Sequence, residues 1–131
     1  VPAEHAPSMI DEYPALAVAA ASANGRTRLE GLGELRLKES NRLAAIETAL
    51  NECGVRTTVD MDTLVIEGQA GPPNGGGTIL APHDHRIAMA AIVLGLGAKN
   101  PVNIGGCESI ETSFPGFKDL FVELGATLES Q

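Results

Sequence analysis

The sequence predicts a domain of the α/β or α+β class, built from duplicated modules of helices and strands stacked on one another. Three observations support this prediction. Helix-patterned and strand-patterned segments alternate along most of the 131 residues, a Gly/Pro/Asn-rich stretch at 68–77 separates two halves, and similar octapeptides begin at Gly33 and Gly106.

The first half of the sequence predicts a helix, a strand, a second helix and a β-hairpin. Asn24-Gly25 is typical of a helix end, and Gly54 follows the second helix. We expect Ser40 to be the N-cap of that helix, because its hydroxyl can accept a hydrogen bond from a free backbone N–H group. The predicted elements are helix 14–22, strand 26–30, helix 41–53, and hairpin strands 56–60 and 64–67.

The second half predicts a similar alternation after the surface loop at 68–77. Its first helix is apolar on nearly all sides, which indicates a place between other core elements. Asn100-Pro101 is typical of a turn, and Gly125 is typical of a helix end. The predicted elements are helix 86–96, strand 102–104, helix 115–124 and a last strand at 127–129.

The octapeptides at 33–40 and 106–113 occupy equivalent places in the two halves. Each follows a predicted strand and precedes a predicted helix that ends in glycine. Such equivalence indicates the duplication of one supersecondary unit. The sequence therefore predicts repeat units at 1–67 and 78–131, joined by the loop at 68–77.

Composition and charge restrict the classes of function. The hydrophobic content of 44% is sufficient for a core, and a formal charge of −8 with nine Lys and Arg argues against a surface for nucleic acid or anionic membranes. The longest apolar stretch, at 87–98, is shorter than the ~20 residues that span a bilayer. Because the chain has only nine Lys and Arg, any anion-binding site must be formed by a small local group of them.

Cysteine usage and the start of the chain give two further expectations. Cys53 and Cys107 form neither a CxxC pair nor a secreted disulfide framework, which favours a reducing, cytoplasmic compartment. Both are expected to be small buried hydrophobic side chains. No signal peptide is visible and the first residue is Val1 instead of Met, so we expect a fragment of a longer protein.

Two short polar clusters, at 38–42 and 83–86, each stand at the start of an apolar helical pattern. Cations in the first turn oppose the helix macrodipole by roughly 0.3–1 kcal/mol, so another group must compensate for them. A bound phosphate or carboxylate would do so, because free backbone N–H groups and adjacent Arg or Lys side chains donate to it. The clusters therefore predict a site for an anionic metabolite.

Four motifs in register resemble those of one enzyme family. They are the runs 8–14 (Ser-Met-Ile-Asp-Glu-Tyr-Pro), 37–43 (Leu-Lys-Glu-Ser-Asn-Arg-Leu), 84–89 (Asp-His-Arg-Ile-Ala-Met) and 112–115 (Thr-Ser-Phe-Pro). Together they resemble the carboxy-terminal third of the 3-phosphoshikimate 1-carboxyvinyltransferases, the EPSP synthase family. Thr112, where glyphosate-sensitive members carry lysine, resembles the glyphosate-insensitive bacterial class.

The resemblance implies transfer of the enolpyruvyl group of phosphoenolpyruvate to the 5-hydroxyl of shikimate 3-phosphate, with release of phosphate and without a metal or organic cofactor. It also implies repeated βαβαββ units in a two-domain inside-out α/β barrel, with the active site between the domains. This chain would form part of one domain, and the missing amino-terminal part of the enzyme would supply the other ligands. The isolated fragment would therefore be inactive.

The resemblance assigns catalytic roles to Asp11, Lys38 and Glu39. Asp11 would be the general base that takes the proton of the attacking hydroxyl, and its alternative role is an N-cap of the first helix. Lys38 would bind shikimate 3-phosphate together with Asp11, and Glu39 would transfer a proton at the methylene carbon of phosphoenolpyruvate. A solvated charge pair is the alternative for Lys38 and Glu39. Which of the three residues moves each proton stays open.

Arg42, Arg86 and His85 would bind phosphoenolpyruvate. A planar guanidinium makes bidentate bonds to carboxylate or phosphate that lysine cannot make, and His85 would donate hydrogen bonds or relay protons beside the ligand. The alternative for the two arginines is a surface salt bridge to Glu39 or Asp84, which would contribute little energetically.

Three further features of the motifs have a structural interpretation. The imidazoles in 83–85 suggest a zinc site as an alternative, although no third or fourth ligand is evident. Thr112 and Ser113 are expected to cap the last helix. Asn41 stands where the family usually has Asp, which keeps the capping shape but removes a charge that could orient Arg42.

Two other functions stay open at this point. One is the related enolpyruvyl transferase that acts on UDP-N-acetylglucosamine and shares the fold. The other is a non-catalytic anion-binding α/β module that acts as a scaffold. The Lys-Glu-Ser and Asp-His-Arg blocks favour the shikimate enzyme.

Overall fold

The computed structural model describes residues 1–130. Short 3-10 turns lie at Ala3–His5, Ile10–Glu12, Gly33–Leu37 and Cys107–Ser109. The strands are β1 (Asn24–Leu29), β2 (Thr57–Asp60), β3 (Thr63–Gln69), β4 (Thr78–Leu80) and β5 (Asn103–Gly105). The α-helices are α1 (Ala6–Met9), α2 (Tyr13–Ser22), α3 (Arg42–Glu52), α4 (His85–Leu96), α5 (Ile110–Ser113) and α6 (Phe117–Glu123).

The strands form two separate sheets. Strands β1, β3 and β2 make an antiparallel sheet in that order, with Leu29 opposite Leu64. Strands β4 and β5 pair in parallel, with Ile79 opposite Ile104, and α4 makes the crossover between them. Antiparallel and parallel pairings therefore both occur in the chain, as in an α+β or α/β fold.

The hydrophobic core lies between the three longer helices, α2, α3 and α4, and the inner faces of the strands. Along β3, Leu64 and Ile66 are buried and the residues between them are half-buried, which is the alternation of a strand with one covered face. On α3, the buried residues Leu43, Ile46 and Leu50 recur at helical spacing. The apolar periodicity of the sequence thus predicts which faces of α3 and β3 pack into the core.

The structure confirms most predicted elements to within a few residues. Confirmed are the helices predicted at 14–22, 41–53 and 86–96, the strands predicted at 26–30 and 102–104, and the hairpin predicted from 56–60 and 64–67.

The predicted N-cap of α3 is wrong by one residue. Asn41 is the N-cap, and its side-chain oxygen accepts a hydrogen bond from the backbone N–H of Ala44 at 3.1 Å. Ser40 instead donates its hydroxyl to Asp84. Both residue types are good caps, so the choice is made by a tertiary partner that the local sequence does not specify.

The helix predicted at 115–124 is confirmed as α6, which begins at Phe117 because Gly116 adopts a left-handed φ of 78° at its N-cap. Two other predictions at the end of the chain are wrong. Thr112 and Ser113 lie within α5 and do not cap that helix, and the Thr112 hydroxyl donates to the carbonyl oxygen of Ser109 at 2.8 Å. Residues 127–129 belong to neither sheet among the described residues, so they form no strand.

Helix α4 is not covered on all sides by residues 1–130. Ala88 and Ala91 are buried, whereas Val93 and Leu96 are 42% and 38% exposed. The prediction of a helix enclosed by core elements is therefore wrong for this face. Cys53 is buried as predicted, Cys107 is half-buried, and both thiols are free.

Two observations bear on the predicted repeat. Strand β3 continues to Gln69, two residues into the predicted loop, and both octapeptides follow a strand and contain a 3-10 turn. The division into units 1–67 and 78–131 stays a prediction.

Within residues 1–130, no helix has both the length and the apolar character needed to cross a membrane.

Gly68 allows β3 to approach the end of α2 closely, which yields a stability prediction. A Cβ atom at Gly68 would lie 2.1 Å from the carbonyl oxygen of Ala23 and 2.9 Å from that of Ala20. Because these are backbone atoms, they cannot move aside as a flexible side chain does. We expect Gly68→Ala to lower the free energy of unfolding by about 1–3 kcal/mol, measured as a shift of the urea midpoint.

The matched control is Gly97→Ala at the end of α4. There the φ angle is −88° and the nearest atoms to an added Cβ are carbonyl oxygens at 3.8 Å. We expect this substitution to be neutral or to stabilise the chain by up to about 1 kcal/mol, because it reduces the entropy of the unfolded state. Equal losses of stability in both variants would contradict the close-contact explanation.

Candidate active site

The starts of three helices meet around the side chain of Arg42. Arg42 is the first residue of α3, Asp11 lies in the 3-10 turn just before α2, and Asp84 is the N-cap of α4. Glu39 and Ser40 come from the segment that leads into α3. We call these five residues the Arg42 cluster.

All three guanidinium nitrogens of the buried Arg42 face carboxylates. Nε lies 3.0 and 3.2 Å from the two carboxylate oxygens of Asp84, and Nη2 donates to Asp84 Oδ1 at 3.2 Å. Nη1 donates to Asp11 Oδ1 at 3.2 Å, and Nη2 also lies 2.7 Å from Glu39 Oε2. A buried charge without such partners would be strongly destabilising, so these carboxylates are required for Arg42 to be buried.

Asp84 is the buried partner of Arg42. Its side chain is 2% exposed, and it accepts hydrogen bonds from the Ser40 hydroxyl at 2.6 Å and from the backbone N–H of Ile87 at 3.3 Å. Burial raises the pKa of Asp84, but the hydrogen bonds from Arg42, Ser40 and Ile87 and the positive charge of Arg42 lower it more. The net pKa lies below the ordinary value of 3.8, so Asp84 is ionised at neutral pH.

Arg86 is the exposed counterpart of Arg42. Its side chain is 40% exposed, Nη1 donates to the backbone carbonyl oxygen of Asp11 at 3.2 Å, and Nη2 lies 4.0 Å from Asp11 Oδ2. Arg86 and Asp11 line a cavity of ≈140 Å³ together with apolar side chains such as Pro14 and Met89. A solvent-accessible cation and a carboxylate thus line one cavity.

Four of the six predicted site residues lie in this one constellation. Asp11, Glu39 and Arg42 belong to the Arg42 cluster, and Arg86 contacts Asp11 directly. Asp11 and Glu39 are 42% and 48% exposed, which leaves both carboxylates accessible to a ligand. The structure therefore brings together two candidate acid–base groups and two arginines from three helix starts.

The other two predicted residues lie beside the Arg42 cluster. Lys38 directs its ammonium group to Glu34, with Nζ 3.2 Å from Oε1. His85 is half-buried and occupies the first position of α4, between Asp84 and Arg86. The alternative of a charge pair between Lys38 and Glu39 is wrong, because Lys38 pairs with Glu34 and Glu39 pairs with Arg42.

The salt-bridge alternative for Arg42 names the correct partners and the wrong environment. Arg42 pairs with Glu39 and Asp84, but its side chain is 0% exposed, so the pairs are buried instead of lying on the surface. Asn41 keeps its capping role. Arg42 is oriented by Asp84, Asp11 and Glu39, so its guanidinium has carboxylate partners without an Asp at position 41.

Sequence reasoning did not assign Ser40 and Asp84 to the site. Asp84 directly precedes an apolar helix, which is the pattern of an N-cap, and it does cap α4. Its second role depends on Arg42, which is 42 positions away in the sequence, and no local pattern specifies that pairing.

Among the described residues, the structure brings no further ligand to the zinc site that residues 83–85 suggest. Within residues 1–130, no group of three or more His, Cys, Asp and Glu side chains is placed to share a metal ion.

Comparison with solved structures defines the class of protein. The chain matches an EPSP synthase from Acinetobacter baumannii with a TM-score of 0.93 and 42% identity, covering 100% of this chain and 31% of that chain. It also matches the enolpyruvyl transferase NikO from Streptomyces tendae with a TM-score of 0.68 and 26% identity, covering 89% of this chain and 25% of that chain. The fold is therefore that of the enolpyruvyl transferases.

Sequence comparison narrows this class to one family. The profile of the family described as EPSP synthase (3-phosphoshikimate 1-carboxyvinyltransferase) matches residues 2–121. Proteins named 3-phosphoshikimate 1-carboxyvinyltransferase from Rhodospirillum rubrum and Gluconobacter oxydans are 57% and 58% identical over 128 residues, or 98% of this chain. The chain belongs to the EPSP synthase family, as the four motifs predict. It spans 28% and 29% of the length of these two relatives.

The lowered pKa of Asp84 yields a prediction for Asp84→Asn. The substitution keeps the shape of the side chain but removes an anion that faces buried Arg42, so we expect a loss of about 3 kcal/mol in the free energy of unfolding at neutral pH. Because the pKa of Asp84 is lower in the folded state, its carboxylate stabilises the fold above the ordinary value of 3.8, and this contribution disappears as the pH falls through the folded-state pKa. The difference between wild type and variant is therefore constant near neutrality and shrinks below about pH 4.

Urea unfolding at several pH values measures this difference, with Glu67→Gln as the matched control. Glu67 pairs with Arg26 at 2.7 Å on the surface, where the two side chains are 35% and 65% exposed. We expect Glu67→Gln to cost at most about 1 kcal/mol. A pH-independent difference between wild type and Asp84→Asn would contradict the assignment.

Proposed function

We propose that this chain is the segment of an enolpyruvyl transferase that supplies its acid–base carboxylates and part of its phosphoenolpyruvate-binding surface. The complete enzyme transfers the enolpyruvyl group of phosphoenolpyruvate to the 5-hydroxyl of shikimate 3-phosphate and releases phosphate. The observation that carries this proposal is the pair of accessible carboxylates, Asp11 and Glu39, on one buried guanidinium beside the exposed Arg86. Membership of the EPSP synthase family supports the identity of the substrates.

Asp11 and Glu39 suit the proton transfers that this reaction needs. A general base must come within hydrogen-bond reach of the attacking hydroxyl, and the partly exposed Asp11, which lines the cavity, can do so. Glu39, in its protonated form, donates a proton to the methylene carbon of phosphoenolpyruvate, and the hydroxyl oxygen bonds to the resulting cationic carbon as Asp11 takes the hydroxyl proton. When the bond to phosphate breaks, Glu39 takes a proton back from the methyl group and the proton on Asp11 passes to the departing phosphate. Lys38, beside them in the sequence, binds the hydroxyl of shikimate 3-phosphate in this proposal.

Arg86, Arg42 and His85 form the phosphoenolpyruvate side of the proposed site. Arg86 donates one hydrogen bond to the backbone of Asp11, and its exposed guanidinium can add a bidentate contact to a carboxylate or phosphate. Arg42 is 0% exposed, so its contribution to this side is to hold Asp11 and Glu39, and His85 lies next to Arg86 at the start of α4.

The same observations favour this function over the two alternatives. Relatives at 57% and 58% identity are named 3-phosphoshikimate 1-carboxyvinyltransferase, which supports shikimate 3-phosphate over a UDP-sugar as the acceptor. A purely anion-binding module has no use for two accessible carboxylates at the place where the anion binds, because like charges repel.

We also propose that the complete enzyme works in the cytoplasm without a metal or organic cofactor and belongs to the glyphosate-insensitive class. The free thiols of Cys53 and Cys107 support a reducing compartment. Thr112, an uncharged residue in α5, supports the insensitive class by its place in the motif.

A hybrid enzyme tests the proposed function. Residues of this chain replace the matching segment of the Rhodospirillum rubrum relative, which is 57% identical to it. We expect the hybrid to release inorganic phosphate from phosphoenolpyruvate only when shikimate 3-phosphate is present. The isolated chain is expected to release none, because half of a two-sided cleft does not position both substrates.

Three outcomes would contradict the proposal. Phosphate release that depends on UDP-N-acetylglucosamine would support the first alternative, and calorimetric binding of phosphoenolpyruvate without turnover would support the scaffold module. Robust turnover by the isolated chain would show that the cleft is complete without the rest of the enzyme.

The role of Arg86 is tested by Arg86→Lys in the same hybrid. Lysine keeps the charge and loses the planar bidentate geometry, so the Kd for phosphoenolpyruvate should rise about tenfold or more while that for shikimate 3-phosphate changes little. Arg26→Lys is the matched control, because Arg26 is an exposed arginine paired with Glu67 outside the Arg42 cluster. Equal weakening of both substrates, measured by calorimetric titration, would show that Arg86 does not face phosphoenolpyruvate.

A further inference from the structure

Ser40 connects the segment before α3 to the start of α4 through one short hydrogen bond. Its hydroxyl donates to Asp84 Oδ2 at 2.6 Å, across 44 positions of sequence. Asp84 is almost completely buried, and its Oδ2 also accepts a hydrogen bond from Nε of Arg42 at 3.0 Å. Ser40 therefore acts on the same carboxylate oxygen that holds the buried arginine.

We infer that Ser40 and Asp84 are positioning residues, which hold the guanidinium of Arg42 in one orientation and thereby set the separation of Asp11 and Glu39. This inference rests on the proposed function, in which Asp11 and Glu39 carry out the proton transfers. Neither Ser40 nor Asp84 needs to touch a substrate for this role.

The geometry of the guanidinium supports the inference. Asp84 occupies the edge formed by Nε and Nη2, so the remaining contacts of Nη1 and Nη2 go to Asp11 and Glu39. Because the guanidinium is planar and rigid, its orientation determines where those two carboxylates lie relative to each other. A rotation of Arg42 would move both of them at once.

The hydrogen bonds of Asp84 give Ser40 its importance. Asp84 Oδ1 accepts from the backbone N–H of Ile87 and from Arg42, and Oδ2 accepts from Ser40 and Arg42. The terminal torsion of an aspartate is soft, so the carboxylate plane depends on such contacts on both oxygens. Without the Ser40 hydroxyl, Asp84 Oδ2 loses the hydrogen bond that does not come from Arg42, and the carboxylate plane can rotate.

Ser40→Ala in the hybrid enzyme tests the inference through kinetics. We expect kcat to fall about tenfold, because small misplacement of acid–base groups slows proton transfer, while KM for phosphoenolpyruvate changes less than about twofold. The solvent deuterium isotope effect on kcat should increase, because proton transfer becomes more rate-limiting. Ser40→Thr restores the hydroxyl and should recover most of the activity.

Thr57→Val serves as the matched control. The Thr57 hydroxyl donates to Asn51 Oδ1 at 2.8 Å in β2, so the variant removes a comparable hydrogen bond outside the Arg42 cluster. We expect its kcat and isotope effect to equal those of the unmodified hybrid.

Loss of phosphate release in the unmodified hybrid, with an active parent enzyme, would contradict the proposed function. The positioning inference is overturned separately if the unmodified hybrid is active and Ser40→Ala leaves kcat unchanged or raises only KM. The side-chain Nε–H signal of Arg42 in the ¹⁵N-labelled hybrid enzyme gives a readout that does not depend on activity. Its exchange with water should accelerate in Ser40→Ala and not in Thr57→Val, and equal exchange rates would also overturn the inference.

Discussion

The region where the three helices begin depends on the neutralisation of one buried positive charge. The guanidinium of Arg42 has no contact with water and therefore needs anionic acceptors on each of its nitrogens. It obtains them from Asp84, Asp11 and Glu39, which come from segments far apart in the sequence. Apolar faces bring the helices together, and the Arg42 cluster selects which of their ends meet.

The charge balance of this region bears on the proposal that the segment forms only one side of a site. The Arg42 cluster contains three carboxylates and one guanidinium, and the nearby Arg86 adds a second cation. The group is still negative overall, so a phosphorylated substrate needs additional cations to bind there. This balance supports the proposal that the rest of a longer enzyme provides the other ligands, since the chain spans 28% of the length of the Rhodospirillum rubrum relative.

Sequence periodicity was sufficient for most of the fold, because apolar residues at helical or alternating spacing define the buried faces of α3 and β3. It failed where a tertiary contact decides between local options. Ser40 and Asn41 are both suitable caps, and the hydrogen bond of Ser40 to Asp84 leaves the cap to Asn41. Motif resemblance predicted four of the candidate site residues that the structure brings together, but neither motif nor spacing shows that Arg42 is completely buried.

Burial distinguishes two arginines that look alike in the sequence. Both stand at the start of an apolar helix, and Arg42 is 0% exposed whereas Arg86 is 40% exposed. Removing a partner from Arg42 would leave an unpaired charge in a dry environment. We therefore expect Arg42 to keep its contacts with the carboxylates when Arg86 exchanges its own. Arg86 can exchange its contacts with Asp11 for contacts with an anion at small cost, because its guanidinium is accessible to water. The same type of side chain therefore holds the accessible carboxylates in place at one position and, in the proposed function, is available to bind phosphoenolpyruvate at the other.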